Sequence, residues 1–558
     1  MGAKIIRDPI YDYIEVDDEY ISIINSDMFQ RLRRICQSSY SPLYPSSLHN
    51  RFTHSLGVFY LGTIAFKTFE KEITYKASTL NLNPKTIKNF VLGNEKLFYK
   101  ACLLHDIGHA PFSHLSEKYY TNPKRKVSIS EELDRAVGKR ISPSNKGMAA
   151  EHEIVSATVG IRYFGYKDKE NKEEWSITEK ELFARCITGY KYEVKNNSDS
   201  RKKEKEIKNC LISLLNSNTI DVDKIDYLLR DSYMTGFPNL PIDYERLLKN
   251  ITVVKTKDVE TPDEKITLAY KKNAMSILED VIYARDSEKK WIQSHPTVLY
   301  ENYIIQRAIR LMNKCYNGDD ETKHIVCCES LTQEGCNFQN GCSIRLFSDD
   351  DVIYAMKYFD ELRDDPLIKE YFDRTKRRTP AWKSEFEYKA LFGGHGPYSV
   401  GDGIDLKRIV NRLREWFEKK PSEVVNEDII NQMKDERDIE QNAEKKATLS
   451  EEIFFLEKLK EKLGNDFDLI FITSHTFSSG FGTSGSDLGE VLIEFRNIKP
   501  MKLKYAMPTL VSVNKTDNDE KTLFYPFWRG KSNNEYKLAE VLYEAIKETE
   551  KEKTKQSW

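Results

Sequence analysis

Apolar residues recur at intervals of three and four along most of the first 320 residues of the chain. This spacing is typical of amphipathic α-helices. It is found in EYISIINSDMFQRLRRICQ at 19–37, in HSLGVFYLGTIAFKTFEKEI at 54–73 and in NEKLFYKACLLHDIGHA at 94–110, and it returns from EHEIVSATVGIRYF at 151 onward. The pattern predicts an N-terminal region that is almost wholly helical, with two buried helices over the second and third of these segments.

Strand-forming residues become common only in the C-terminal third. DLIFITSHTF at 468–477, GEVLIEFRNI at 489–498 and TLVSVNK at 509–515 alternate or run in β-formers and are separated by Gly, Ser and charged residues. We therefore predict a mainly α protein in three parts. These are a helical core over 1–320, a cysteine-containing linker or insertion over 321–345, and an α+β region over 346–558 that assembles or regulates an oligomer.

Charge and length limit the kinds of partner. Acidic residues number 88 and basic residues 86, so no global field favours duplex nucleic acid or an anionic membrane. No apolar run approaches the roughly 20 residues needed to cross a bilayer. Nine cysteines, without a basic and apolar leader at MGAKIIRDPI, indicate a cytoplasmic protein with reduced thiols. Nucleic-acid binding by the basic run 201–208 is a minor alternative to a solvated helix face or loop.

Candidate chemistry concentrates in LLHDIGHAPFSH at 103–114, which holds three of the ten histidines. A metal that activates water needs imidazoles and carboxylates that converge from different elements and leave one coordination position open. The candidates are His54, His105, Asp106 and Asp223, the last within DVDKID. A lone His-Asp pair is most often an ordinary helix end, but three such segments in this order indicate a metal site. Gly108, two residues after Asp106, is the expected place for the backbone turn that lets both side chains of the pair reach one ion.

Three further histidines are not needed as ligands. His109, His114 and His152 are candidates for general acid, general base or stabilisation of leaving-group charge, because imidazole titrates near neutrality. Pro111 starts a new segment that could bring His114 back to the site. Taken alone, His152 in AEHEI would more often be a capping or surface residue.

The order H…HD…D resembles the HD superfamily of metal-dependent phosphohydrolases. The fuller set DPIYDYIEV, FQRLRRICQ, HNRFTHSLGV, LLHDIGHAPFSH, EHE and IDVDKIDYLLRD is similar to its deoxynucleoside triphosphate triphosphohydrolase branch, which includes bacterial dGTPases and the animal SAM-and-HD-domain dNTPase. The resemblance covers roughly residues 4–310. It implies an HD-superfamily helical core and hydrolysis of a dNTP to a deoxynucleoside and inorganic triphosphate.

The resemblance also implies a role for each matching residue. A divalent metal, which in the family is Mn, Fe, Zn or Mg, would be held by His54, His105, Asp106 and Asp223. His114 and His152 would surround the α-phosphate, and His109 would donate a proton to the leaving 5′-oxygen, oriented by Glu117. The triphosphate would contact Arg51, Lys224 and Arg285, and the sugar would face Gln37, Tyr227 and Asp231. A triphosphate carries roughly four negative charges, which such cations would offset.

Some positions depart from the family pattern. Ser38 and Gln293 stand where animal members carry a leucine and a tyrosine near the sugar, which weakens any expectation that ribose is excluded. In a stretch that relatives use to bind an activating nucleotide, Lys4 and Arg33 match. Asn25 replaces the aspartate that reads guanine, so an activator other than a guanine nucleotide is the better candidate.

Alternatives to this activity stay open at the sequence level. One is an HD phosphohydrolase of a monophosphate, an alarmone or an oligonucleotide, and another is a nucleotide-sensing effector. A homo-oligomer, tetramer or hexamer, is expected, and dNTP depletion would suit antiviral or antiphage defence.

A separate zinc site is a further alternative for the dense group of thiols formed by Cys327, Cys328, Cys336 and Cys342, with His324 just before them. Their spacing matches no common zinc module, so reduced and partly buried thiols are favoured.

Overall fold

The structure is a computed structural model of the chain. It describes residues 3–121, 127–141, 149–166, 174–194, 201–237, 241–257, 264–318, 323–338, 341–398, 406–419, 424–474, 488–507, 523–530 and 535–555. The helices are α1 Asp18–Ile24, α2 Asp27–Arg31, α3 Arg51–Tyr75, α4 Pro84–Leu104, α5 Ile129–Val137, α6 Glu151–Phe164, α7 Ile177–Thr188, α8 Lys202–Leu215, α9 Val222–Thr235, α10 Tyr244–Lys249, α11 Met275–Glu288, α12 Pro296–Asn317, α13 Asp349–Tyr358, α14 Asp360–Arg363, α15 Pro366–Phe372, α16 Glu385–Phe392, α17 Leu406–Lys419, α18 Glu427–Ile439, α19 Ala443–Leu463, α20 Leu503–Ala506 and α21 Lys537–Lys555. The strands are β1 Lys4–Asp8, β2 Asp12–Val16, β3 Ile251–Lys257, β4 Glu264–Lys271, β5 Cys336–Asn337, β6 Ser343–Ile344, β7 Thr379–Pro380, β8 Leu469–Ser474, β9 Leu492–Glu494, β10 Met501–Lys502 and β11 Leu523–Trp528. The mainly helical fold class predicted from the sequence is confirmed.

The chain forms two compact units that are each discontinuous in sequence. The first comprises the described residues of Met1–Glu288, Ala308–Arg363 and Ser479–Lys515. The second comprises those of Lys289–Arg307, Asp364–Ser478 and Thr516–Trp558. The described part of 321–345 therefore lies inside the first unit, and the division of functions among 1–320, 321–345 and 346–558 stays a prediction.

Helix α3 forms the centre of the first unit. Asn50 caps its start, because the Asn50 side-chain oxygen accepts a hydrogen bond from the Thr53 backbone N–H at 3.1 Å. Leu61 and Phe66 on this helix are fully buried, and α4 packs alongside, where Phe66 contacts Phe98. Both helices predicted to be buried are thus part of the core, and they bring His54 near the start of one to the end of the other.

Two hairpins interrupt the helical pattern of the first unit. Strands β1 and β2 pair antiparallel, with Ile6 opposite Ile14, and β3 and β4 form the other hairpin, to which β9 adds parallel to β4. The prediction of an almost wholly helical region is wrong at these four strands. The segment DYIEV does alternate, with Ile14 and Val16 buried between exposed neighbours, so its period of two indicated a strand. The first predicted helix is also broken, because Ser26 caps a new helix, α2.

The second unit contains a three-stranded antiparallel sheet in the order β7-β11-β8. Its centre is aromatic, with the rings of Phe417 and Phe471 3.9 Å apart between centroids. The strands predicted within 468–477 and 489–498 are present as β8 and β9, whereas TLVSVNK lies outside the described residues. Among the described helices, none has the length and apolar character that a membrane crossing requires.

Candidate metal centre and active site

Four side chains from three segments meet beside the start of α3. One ligand atom from each of His54, His105 and Asp106 lies within 4.8 Å of the others. The Asp223 carboxylate joins them from the first turn of α9, 2.9 Å from His54 Nε2 and 3.6 Å from His105 Nε2. The three separate sequence motifs are therefore brought together as predicted. The donor set of two imidazoles and two carboxylates suits a hard or borderline divalent metal.

Both imidazoles are oriented with their Nε2 atoms toward this cluster. His54 Nδ1 donates to the Asp226 carboxylate at 2.7 Å, and His105 Nδ1 donates to the Cys102 carbonyl at 2.9 Å. A neutral ring that donates from Nδ1 presents a lone pair at Nε2. The two Nε2 atoms face each other at 3.3 Å. Two converging lone pairs beside two carboxylates fit a divalent metal ion. A bound metal ion would accept both lone pairs and so remove the repulsion between the two Nε2 atoms.

The electrostatics of the cluster favour a bound cation. Although burial lowers the pKa of His54, the carboxylates of Asp223 and Asp226 outweigh that effect and raise it to about 9. Burial raises the pKa of Asp106, but the positive charge of Arg51 outweighs it, so that this pKa lies well below its usual range. The ionised carboxylates thus stabilise positive charge at this position, whether a proton or a metal ion supplies it.

Asp226, which the sequence analysis did not assign, holds His54 in place. Its carboxylate also accepts two hydrogen bonds from Arg230 at 3.0 Å and one from the Tyr11 hydroxyl at 2.7 Å. A Cβ atom at Gly57 would lie 1.8 Å from Asp226 Oδ1, so only glycine fits there. The network fixes the tautomer and the direction of a metal-facing imidazole.

Three histidines form a second cluster next to Asp106. The rings of His109 and His152 stack at 4.0 Å between centroids, and the His114 ring stands edge-on to both at 5.3 Å. Glu117 accepts hydrogen bonds from Nδ1 of His114, at 2.6 Å, and from Nδ1 of His152. Glu117 therefore holds these two outer histidines, whereas the sequence analysis assigned it to His109.

His109 sits in the middle of this cluster with few partners. Its Nε2 lies 3.1 Å from Asp106 Oδ1, and its Nδ1 has no hydrogen-bond partner among the described residues. Burial and the nearby Arg51 guanidinium lower the pKa of His109 well below its ordinary value. The ring is therefore neutral near pH 7 in this state, and only an anion bound beside it would favour the protonated form that donates a proton.

The loop that carries His114 is held by a carboxylate from far along the chain. Phe112 and Ser113 have positive φ values of 56° and 52°, which turn the chain after Pro111 as expected. Asp349 accepts hydrogen bonds from the backbone N–H groups of Phe112, at 2.6 Å, and Cys36, at 2.8 Å. It thereby holds two site loops together at the start of α13.

Gly108 has a different role from the one predicted. Its φ is not in the left-handed region, but a Cβ atom there would lie 2.3 Å from the Ser156 backbone nitrogen. The Gly108 N–H also donates to Ser156 Oγ at 2.9 Å. Glycine is therefore required for the close approach to α6, which places His152 beside His109.

Two of the predicted phosphate-binding cations line a cavity of about 510 Å³, and the third does not. Lys224 and Arg285 are both part of its wall. Lys224 Nζ contacts Asp221 at 2.5 Å and the Ser217 carbonyl at 2.8 Å, whereas Nε and Nη1 of Arg285 are buried without a hydrogen-bond partner. Arg51 instead donates to Asp106 at 2.7 Å and to Ser113 at 2.9 Å.

The predicted sugar-facing residues are buried or partly buried in the same unit. Gln37 is buried, and its side-chain oxygen has no hydrogen-bond partner in the part of the chain that the structure describes. Burial raises the pKa of the Tyr227 hydroxyl, so this group stays neutral. The Asp231 carboxylate lies 2.5 Å from Nε2 of His49, a residue that the sequence analysis did not assign.

The remaining candidates do not form a cluster. Arg33 lies over the Phe52 ring at 3.6 Å, and among the described residues no hydrogen bond or ion pair joins it to Lys4 or Asn25. Cys327 and Cys336 approach to 3.5 Å between sulfur atoms. The metal-capable groups found among the described residues do not include these thiols, and no disulfide joins any of the nine cysteines.

Comparisons with known proteins agree with this geometry. The HD domain profile matches residues 51–183. The human deoxynucleoside triphosphate triphosphohydrolase SAMHD1 is 28% identical over 316 residues, which are 52% of this chain and 42% of that protein. An uncharacterized protein of Methanocaldococcus jannaschii is 28% identical over 307 residues, 55% of this chain and 49% of that one. The chain thus spans about half or less of the length of these two relatives.

A solved structure extends the comparison of the fold. The crystal structure of a hypothetical protein from Aquifex aeolicus superimposes with a TM-score of 0.55, at 16% identity, over 98% of this chain and all of that one. At this identity it shows the fold alone. The resemblance stated from the sequence motifs is confirmed, and so is the helical HD core.

Proposed function

Since residues 51–183 of this chain carry an HD domain, we propose that the protein hydrolyses deoxynucleoside triphosphates to a deoxynucleoside and inorganic triphosphate. The HD domain and the SAMHD1 relatives support the coarser activity, metal-dependent hydrolysis of a nucleotide phosphate ester. The observation that carries the finer proposal is the position of Arg285. Arg285 lines a cavity that Lys224, the neighbour of Asp223, also lines, and its buried Nε and Nη1 have no hydrogen-bond partner among the described residues.

His54, His105, Asp106 and Asp223 would hold the metal, which when bound activates water for attack on phosphorus. The chain's own residues position these ligands before any ion arrives. Asp226 and the Cys102 carbonyl fix the two imidazoles, and Arg51 fixes Asp106 through its 2.7 Å contact. Such preorganisation means that little reordering accompanies metal binding.

The cations of the cavity wall bind and orient the phosphates. Lys224 and Arg285 supply positive charge where a triphosphate chain would lie. Nε and Nη1 of Arg285 are buried without a hydrogen-bond partner among the described residues, and a phosphate bound against this side chain would supply acceptors for charge-assisted hydrogen bonds.

The three histidines act at the reacting phosphate. Glu117 occupies Nδ1 of His114 and His152, which leaves Nε2 of His152 for a phosphate oxygen, whereas Nε2 of His114 lies 3.3 Å from Arg51 Nη2. The negative charge of the bound substrate would favour uptake of a proton from solvent by His109, which would then pass that proton to the leaving 5′-oxygen. Burial protects this step from competing water.

The proposal extends to regulation and assembly as predictions. An activating nucleotide, a homo-oligomer of four or six subunits and a role in dNTP depletion against viruses or phages are expected from the resemblance, and a cytoplasmic location is expected from the nine cysteines. The residues proposed to act in hydrolysis all lie in the first unit.

Product analysis tests the proposal. Purified protein is incubated with each dNTP and NTP, singly and mixed, with Mg²⁺ or Mn²⁺, and the products are resolved by ion-exchange chromatography. Deoxynucleoside with intact triphosphate is the expected result. Orthophosphate or pyrophosphate would identify another HD phosphohydrolase, and metal-loaded protein without turnover in any mixture would indicate a nucleotide sensor. Asp106→Ala should abolish turnover, and Asp435→Ala, at an exposed position of α18, is the matched control.

A further inference from the structure

The cavity lined by Lys224 and Arg285 has a third cation, Lys191, which the predicted site does not include. Lys191 lines the same cavity of about 510 Å³ as Lys224 and Arg285. It lies just after α7, in a segment without a recognisable motif. Nothing in its sequence surroundings singles it out from the other lysines.

The carboxylates of the cavity wall are already satisfied. Glu153 accepts hydrogen bonds from the Ala150 N–H at 2.8 Å and from Asn216 at 2.7 Å. Glu490 pairs with Lys502 and Lys504. The two acidic residues that line the cavity therefore leave Lys191 without a counter-ion.

Lys191 itself is partly buried and has no ion pair or side-chain hydrogen bond among the described residues. Burial lowers the pKa of its ammonium group, and the charged or titratable side chains that act on it are Cys210 and Lys265. Neither is a carboxylate. A desolvated cation without an anion is unfavourable, so an anionic ligand in the cavity would stabilise it.

The backbone that carries Lys191 is fixed in advance. Gly189 ends α7 with φ of 69°, and Arg185 Nη1 donates to the carbonyls of Tyr190 and Lys191 at 3.0 Å each. The Tyr190 hydroxyl accepts a hydrogen bond from the Ala149 N–H at 3.3 Å. A turn held at both ends has little backbone freedom left to lose on binding, so only the Lys191 side chain would have to be ordered.

We propose that Lys191 binds a phosphate group of the substrate triphosphate that the metal cluster does not reach, together with Lys224 and Arg285. This inference rests on the proposed function, because it assigns a residue to the same substrate. Three cations on one cavity wall match a chain of three phosphates. Lys191 is thereby a specificity residue that favours triphosphates over monophosphates.

Calorimetric titration of the full-length protein with inorganic tripolyphosphate, without added metal, tests the inference directly. Lys191→Met should weaken binding about tenfold or more, the loss of one charge-assisted hydrogen bond. Lys191→Arg should retain most of the affinity, and Lys446→Met, at an exposed position of α19, should match the wild type. Orthophosphate binding should change much less than tripolyphosphate binding. Thermal unfolding confirms that each variant folds.

Kinetics give a second readout. Lys191→Met should raise KM for a dNTP by a similar factor with kcat nearly unchanged, because the contact is made in ground and transition states alike. Equal tripolyphosphate affinity in Lys191→Met and wild type would overturn the inference and leave the proposed function intact. Lys191-dependent binding without dNTP hydrolysis would overturn the function alone. Wild-type protein that neither binds tripolyphosphate nor hydrolyses dNTPs would overturn both.

Discussion

Nε2 of His54 lies 3.3 Å from Nε2 of His105, and both rings are buried. Each ring donates a hydrogen bond from Nδ1 to an acceptor. The two facing Nε2 atoms therefore carry either two lone pairs or one lone pair and one proton. The pair is stable only with positive charge between or beside the two rings. A divalent metal supplies that charge without leaving a protonated histidine in the interior.

Metal removal should therefore lower the stability of the protein. A ligand that binds only the folded state stabilises it by about 2.7 kcal/mol at a hundredfold excess over its dissociation constant. We expect EDTA followed by gel filtration to lower the thermal midpoint, and added Mn²⁺ to restore it in wild type but not in His105→Ala. An identical midpoint with and without metal in the wild type would contradict the proposed ligand set.

Asp226→Asn should weaken metal binding although Asp226 is not a proposed ligand. The Asp226 carboxylate accepts the hydrogen bond from His54 Nδ1, and its charge orients and polarises that ring. Loss of such a partner typically reduces metal affinity about 10- to 100-fold. Metal titration of the folded variant measures the effect, with Asp435→Asn as the control. Unchanged affinity would show that the Cys102 carbonyl and helix packing alone position the imidazoles.

Gly57→Ala should destabilise the protein, because the new Cβ would lie 1.8 Å from Asp226 Oδ1 and 2.6 Å from Arg230 Nη2. The matched control is Gly93→Ala in α4, where the added Cβ meets nothing within 4 Å. There we expect a gain of roughly 0.5–1 kcal/mol from helix propensity. Denaturant unfolding compares them, and similar changes in the free energy of unfolding would refute the crowding argument.

The contribution of Asp349 to stability should depend on pH. Burial raises its pKa to about 6, above the unfolded value of about 4. The stabilisation from its protonated form is therefore complete below pH 4 and is lost as pH rises through 6. Asp349→Asn cannot ionise, so its stability relative to wild type should improve by about 2 kcal/mol between pH 4.5 and pH 7.5. Parallel pH profiles of the two proteins would contradict this shift.

The residues of the metal cluster could be predicted from the sequence because they lie near helix ends that the sequence marks. Asn50 and Asp221 are side-chain caps, so α3 and α9 begin where the sequence signals it, and each places a candidate ligand in or near its first turn. Asp226 was missed, although it lies three residues after Asp223 and therefore on the same side of a helix.

Other parts of the site depend on contacts that a single sequence does not reveal. Asp349 lies 313 residues beyond Cys36, to which it binds, and His49 lies 182 residues before Asp231. Lys191 reaches the cavity only because the turn after α7 packs beside α8. The pairing of β4 with β9 likewise joins segments that are far apart in sequence.

The position of Asp349 limits which part of the first unit could be moved into another protein as a separate domain. A chain that ended at residue 345 would retain every predicted metal ligand and all three histidines of the second cluster. It would lack the carboxylate that receives the N–H groups of Cys36 and Phe112, and the carbonyl of Phe347, to which Arg31 donates at 2.9 Å while its other nitrogen donates to Ile107. The HD motif is therefore not a portable module in this protein, because the unit around it extends to α13 and also includes β9, which pairs with β4.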